Sequence, residues 1–188
     1  MNKIQIKCSF IVFVSLSVAL TPFDMLLPMM AAIAVHEAGH LAVMLLLRVR
    51  VKNITFSAGG LDISSSLNSI NYKKTAAVYL GGCFFNILAA AFSMCFFPRF
   101  AYCCIAYAVI NLLPIKPLDG AMAATSVFCM RMLPEKANRV MGLVSVVFLL
   151  PLWMLSLYIF FYSATNFTPL VMCIFLFMSV FSNHGPIR

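Results

Sequence analysis

From Pro28 to Leu47 the chain runs through twenty residues in which the sole ionisable side chains are His36, Glu37 and His40. Such a run is what a helix needs to cross a hydrocarbon core of about 30 Å. Within that core every backbone N–H and C=O must be paired inside the segment, so the run admits little but a helix. Five more segments read the same way, at about Cys8–Leu20, Thr75–Phe97, Phe100–Leu113, Val140–Tyr162 and Thr168–Phe181. The first, fourth and sixth need flanking residues, local thinning of the bilayer or protein neighbours to complete a crossing. Across 188 residues, 63% are hydrophobic and 10% charged, too few charges to cover a soluble surface. The sequence therefore predicts an all-α polytopic membrane protein with about six transmembrane helices, one membrane-embedded domain over residues 1–188.

The formal charge of +8 invites a nucleic-acid reading, but no basic stripe accompanies it. Placed along the six segments, twelve of the thirteen Lys and Arg residues fall on one side and only Arg99 on the other. The positive-inside rule puts that majority side, with both termini, in the cytoplasm. The N-terminus "MNKIQIKCSFIVFVSLSVALTPF" has the basic start and apolar run of a signal peptide, with Ser17-Val18-Ala19 as a cleavage candidate. The charge pattern works with this segment retained as the first span. Seven cysteines lack any C-x-x-C spacing, and they read as small buried hydrophobes rather than as metal ligands.

An unpaired charge in hydrocarbon costs several kcal/mol, so intramembrane ionisable residues raise a functional question by default. His36 and His40, four apart on a helix, project from nearly one face, as two ligands of one metal require. Glu37 flanks that face within reach of a metal-bound water, which is the H-E-x-x-H arrangement of two zinc ligands and a general base. His40 precedes Arg48 by eight residues, roughly 12 Å inside the cytoplasmic boundary at 1.5 Å per residue. A catalytic zinc site takes three protein ligands and keeps one position open. Of the remaining candidates, Asp24 lies on the external side, Glu135 and His184 read as solvated surface groups, and Asp62 falls in a turn. Asp119 follows the fourth segment in "NLLPIKPLDGA", where Pro114 and Pro117 prevent regular helix. Irregular backbone at membrane depth is tolerated where it lines a polar cavity. Elimination selects Asp119, although an aspartate in a D-G pair is also an ordinary turn residue.

These residues resemble the site-2 protease family of intramembrane zinc metalloproteases. The resemblance lies in His36-Glu37-Ala38-Gly39-His40, in Asn111 through Gly120 (N-x-x-P-x-x-P-L-D-G), and in Gly81-Gly82-Cys83-Phe84-Phe85-Asn86, similar to a Gly-x-x-x-Asn segment. It spans about residues 8–185. The compact layout most resembles the sporulation protease branch of bacterial cell membranes, whose substrate is an inactive sigma-factor precursor. Cys83 stands where many members have proline, and Ala121 where a second glycine often follows. Residues 1–188 are expected to hold neither the CBS domain usual in that branch nor the PDZ domain of others. The resemblance implies one Zn2+ per chain held by His36, His40 and Asp119, with Glu37 as the base. It also implies regulated cleavage of transmembrane or membrane-associated proteins near the cytoplasmic face. A regulatory membrane partner is a further candidate, and no nucleic acid is expected.

A helical substrate must unwind before its amides can be cut. In "NITFSAGGLDISSS", Ile54 and Phe56 alternate with polar residues, Gly59-Gly60 reads as a tight turn, and Leu61 and Ile63 alternate again. A hairpin there is either an ordinary loop or an edge to which an extended substrate adds as a strand. The family's membrane-associated hairpin at this place favours the second, with Gly59 and Gly60 facing substrate. Asn86 and Asn111 are amides in apolar surroundings, able to bind substrate backbone or to hold helices together. The resemblance favours a substrate-facing Asn111. Two other functions compete with the protease. One is a catalytically inert membrane-binding protein of the same fold, which would have little reason to keep Glu37. The other is a metal transporter, which would need several polar residues along a path where only one cluster exists.

Overall fold

The computed structural model describes residues 3–6, 23–48, 53–57, 60–62, 71–163 and 168–182. Six helices carry the described chain: α1 (Phe23–Leu46), α2 (Tyr72–Ser93), α3 (Pro98–Leu112), α4 (Asp119–Phe128), α5 (Pro134–Ser163) and α6 (Thr168–Ser182). Three strands accompany them: β1 (Lys3–Ile6), β2 (Asn53–Ser57) and β3 (Gly60–Asp62). Local chemistry explains the helix ends. The Asn71 side chain accepts from Lys73 N at 3.1 Å and caps α2. Proline opens α3 and α5, where the missing N–H costs nothing. Arg48 closes α1 with a left-handed φ of 51°.

Three of these helices, α1, α2 and α5, are long and apolar enough to cross a membrane, whereas α3 and α6 are shorter apolar helices. The six-span expectation is therefore corrected to three candidate spans among the described residues. At 15 residues α3 reaches only about 22 Å, and the segment Cys8–Leu20 lies outside the described residues. In the stretch where a hairpin was expected, β2 and β3 lie antiparallel, and β1 adds a third strand. β2 is the centre of a three-stranded sheet, parallel to β1 and antiparallel to β3. Gly60 pairs with Ser57 and Asp62 with Thr55, so neither is the turn residue the sequence suggested. Gly59 lies outside the described residues.

The helices pack through small residues. A Cβ on Gly39 would stand 2.8 Å from Gly81 O and from Phe85 Cβ, so α1 and α2 approach almost backbone to backbone. Ala32, Ala90, Ala101 and Cys104 continue the seam among α1, α2 and α3. A second cluster, Ile115, Leu118, Leu149, Leu176 and Val180, buries the segment before α4 against α5 and α6. Large apolar side chains point outward instead, among them Leu45, Leu46, Phe92, Phe96, Leu143, Phe161 and Tyr162. This inverts the soluble pattern and suits a hydrocarbon surround.

The irregular backbone expected around Pro114 and Pro117 is present over residues 113–118, and it ends in a further helix, α4, of which Asp119 is the first residue. Leu118 is extended (ψ 156°) and Ala121 N bonds its carbonyl at 3.1 Å. A carboxylate in the first turn interacts favourably with the helix dipole, a signal masked in sequence by the D-G pair. The approach to α4 is braced by side chains: Lys116 N donates to Ser145 Oγ at 3.0 Å, and Lys116 Nζ donates to Asn138 Oδ1 at 2.9 Å. Burial pushes the Lys116 ammonium down from the ordinary lysine value.

Gly120 sets how closely α4 begins beneath α3. A Cβ there would collide with the Leu112 carbonyl oxygen and stand 2.9 Å from Leu113 O, whereas one on Gly142 would meet nothing within 4 Å. Gly120→Ala should destabilise the fold by about 1–3 kcal/mol through overpacking, with Gly142→Ala leaving it unharmed. Thermal unfolding of both variants in detergent checks this, and equal midpoints would contradict the packing account.

Candidate metal centre

His36 and His40 lie one turn apart on α1, their ring centroids 4.7 Å apart and nearly perpendicular. Their Nε2 atoms are 3.1 Å apart. Asp119 Oδ2, from the start of α4, lies 2.7 Å from His36 Nε2 and 3.2 Å from His40 Nε2. Three donor atoms from positions up to 83 residues apart thus meet at one point. All three residues are buried, with exposures of 2%, 3% and 8%. A tetrahedral ion with bonds near 2.0–2.1 Å spaces its ligands by roughly 3.3 Å. The observed triangle is slightly tighter, and small side-chain rotations open it.

The far side of each imidazole is also engaged. His40 Nδ1 donates to the Val78 carbonyl oxygen at 2.8 Å, which leaves the Nε2 lone pair facing the centre. Asn86 Nδ2 stands 3.4 Å from His36 Nδ1, and Asn86 Oδ1 has no partner. A His36 that offers Nε2 to an ion carries its proton on Nδ1, and turning the amide end for end would bring the oxygen there to accept it. Partners of this kind orient imidazole ligands and raise their basicity. Gly82 completes the cradle: a Cβ there would stand 2.6 Å from His40 Nε2 and 2.7 Å from His36 Nε2. Its bare Cα leaves the space beside the two nitrogens open.

Glu37 is half-buried beside the cluster and interacts electrostatically with His36, His40 and Asp119. Its Oε2 is buried with no hydrogen-bond partner. An orphaned carboxylate oxygen costs free energy unless something polar occupies the adjacent space. Two imidazoles, one carboxylate and this free oxygen fit a single small divalent ion with a water beside it.

The other residues singled out from sequence sit elsewhere. Asn111 donates from Nδ2 to Tyr107 O at 3.0 Å on its own helix. Asn86 is fully buried against His36, so its contact is with an imidazole rather than with a surface open to substrate. Asp24 is exposed and pairs with Arg99 at 3.5 Å, and Glu135 is exposed in the first turn of α5. His184 lies outside the described residues. Three contributors escaped the sequence reading. Tyr107 sets its ring edge-on to His36 with centroids 4.9 Å apart. The Val78 carbonyl gives no sequence signal at all. Cys83, set aside as a packing residue, groups with His36 and Asp119, their ligand atoms within 4.8 Å of one another.

Removing the oriented amide with Asn86→Ala should weaken zinc or cobalt binding by about 10- to 100-fold. Gly82→Ala, which fills the cradle, should block binding in a chain that still folds. Metal titration of the detergent-solubilised variants checks both, and unchanged affinity in either would refute the geometry described.

No protein-family model matches the chain, and no curated protein matches it in sequence. Among solved structures it is similar to the site-2 protease from Methanocaldococcus jannaschii, with a TM-score of 0.70 at 14% identity over 98% of this chain and 92% of that one. At that identity the likeness concerns architecture, and the chain shares the fold of a site-2 protease.

Proposed function

We propose that this chain is an intramembrane zinc metalloendopeptidase. The observation that carries the reading is the meeting of His36 Nε2, His40 Nε2 and Asp119 Oδ2 beside the unpartnered Glu37 oxygen, on a helix long enough to span a membrane. The shared fold with a site-2 protease supports it. His36, His40 and Asp119 would hold the ion. When bound, it supplies Lewis-acid polarisation of the scissile carbonyl and lowers the pKa of water to about 7.

Glu37 accepts a proton from the attacking water at its free carboxylate oxygen and passes it to the departing amine nitrogen. Val78 O and Asn86 keep the two imidazoles turned toward the centre throughout. On the α3 side the Asn111 amide, which donates to Tyr107 O, would meet substrate backbone once it releases that bond. An extended substrate would add to the sheet at its outer edges, β1 or β3, because β2 has neighbours on both sides. The substrates are transmembrane or membrane-associated proteins cut near the cytoplasmic face of a cell membrane, with one Zn2+ per chain.

A binding protein of the same fold that holds membrane segments without cutting them is the alternative. The two readings separate in detergent, with zinc analysis and incubation with single-span or amphipathic candidate substrates. Glu37→Gln should keep stoichiometric zinc while cleavage falls about 10²- to 10⁴-fold. Asp119→Ala should lose both metal and cleavage. A zinc-loaded wild type that cuts none of a broad substrate panel would favour the binding protein, and Asp119→Ala with full metal content would end the ligand assignment.

A further inference from the structure

Cys83 is 2% exposed and faces the seam between α2, α1 and α4. Its sulfur, a His36 ring nitrogen and an Asp119 carboxylate oxygen lie within 4.8 Å of one another. An ion with metal–sulfur and metal–nitrogen bonds near 2.3 and 2.05 Å separates those ligands by roughly 3.5 Å. The 4.8 Å limit exceeds that spacing by about 1.3 Å, so the sulfur lies beside the first coordination sphere, on the side of His36 and Asp119. Its placement follows from the helix: Gly82, one residue earlier, carries no side chain where one would strike both imidazoles. Asn86, three residues later on the same face, reaches His36. The remaining described free cysteines, Cys95, Cys103, Cys104, Cys129 and Cys173, are not part of this group.

We infer that Cys83 is a fourth protein ligand that caps the ion in the resting protein, an inference that rests on the metal-centre reading above. Zinc sites with four protein ligands are closed, and those with three keep a position for water. With Cys83 engaged the centre belongs to the first class, and with Cys83 swung away it belongs to the second. Engagement exchanges the Sγ–H bond for an Sγ–metal bond and releases the thiol proton to solvent. Disengagement lets water take the position while the thiolate regains a proton. The chain is thus latent until the thiolate is displaced. Soft thiolate also biases the site toward cadmium, in contrast to an all-imidazole-and-carboxylate set.

Cobalt titration of the metal-depleted full chain in detergent tests this without reference to cleavage. Visible d–d bands report the imidazole and carboxylate set, and a near-ultraviolet sulfur-to-cobalt charge-transfer band reports a bound thiolate. Wild type should show both, while Cys83→Ser and Cys83→Ala should retain the visible bands and lose the near-ultraviolet band. Both variants should also lose the wild type's preference for cadmium over zinc. Visible bands without the charge-transfer band in wild type, or a band that survives both substitutions, would overturn the inference and leave the metal centre standing. No cobalt uptake by wild type would remove the two together.

Discussion

The contact between His36 Nε2 and Asp119 Oδ2, 2.7 Å long across 83 positions of sequence, is the constraint on which the arrangement depends. Polar groups this deeply buried are expensive unless each has a partner. The cheapest partner for two imidazoles on one helix is a carboxylate with a divalent ion among them. Much of the remaining structure delivers Asp119 to that place. Gly120 lets α4 start directly under the end of α3. Ser145 and Asn138 of α5 grip Lys116, and Ile115 and Leu118 are buried against α5 and α6. The polar centre and the apolar packing are therefore one construction.

Between helices the packing relies on contact rather than on burial from water. Lipid tails are as apolar as leucine, so association gains little from hiding large side chains and more from close backbone approach. The α1–α2–α3 seam is lined by Gly39, Gly81, Ala32, Ala90, Ala101 and Cys104, while large side chains of the same helices, such as Leu45, Phe92 and Tyr102, lie outside it. That division is what brings α2 near enough for the Val78 carbonyl to reach an imidazole of α1.

How much of this was legible in sequence depends on the range of the interaction. His36, Glu37 and His40 could be read because four-residue spacing is a local property of a helix. Asp119 was reached by elimination, which works only because acidic residues are so scarce in this chain. The helix that begins at Asp119 was hidden, since Pro117 and the D-G pair carry turn signals that tertiary packing overrides. The alternation of Ile54, Phe56 and Leu61 marked the antiparallel pair β2 and β3, but the glycine pair carried a turn signal as far as Gly60, which in fact pairs with Ser57, as Asp62 does with Thr55. The nearness of Cys83 and Asn86 to His36 could not be read, for a shared reason. Motif spacing cannot tell that one face of α2 looks into the same point as one face of α1. The count of crossings fared worst, because a short apolar run such as Phe100–Leu113 gives the same local signal whether or not it traverses.

The two imidazoles are held by unlike means, and this has an evolutionary consequence. His40 is aimed by the Val78 main-chain oxygen, an atom every residue type possesses, so no single replacement at position 78 deletes it. His36 is aimed by a side-chain amide that one nucleotide change can erase. Genetic drift therefore threatens the pair unequally: lineages losing the centre would be expected to falter first at the ring whose tautomer depends on Asn86.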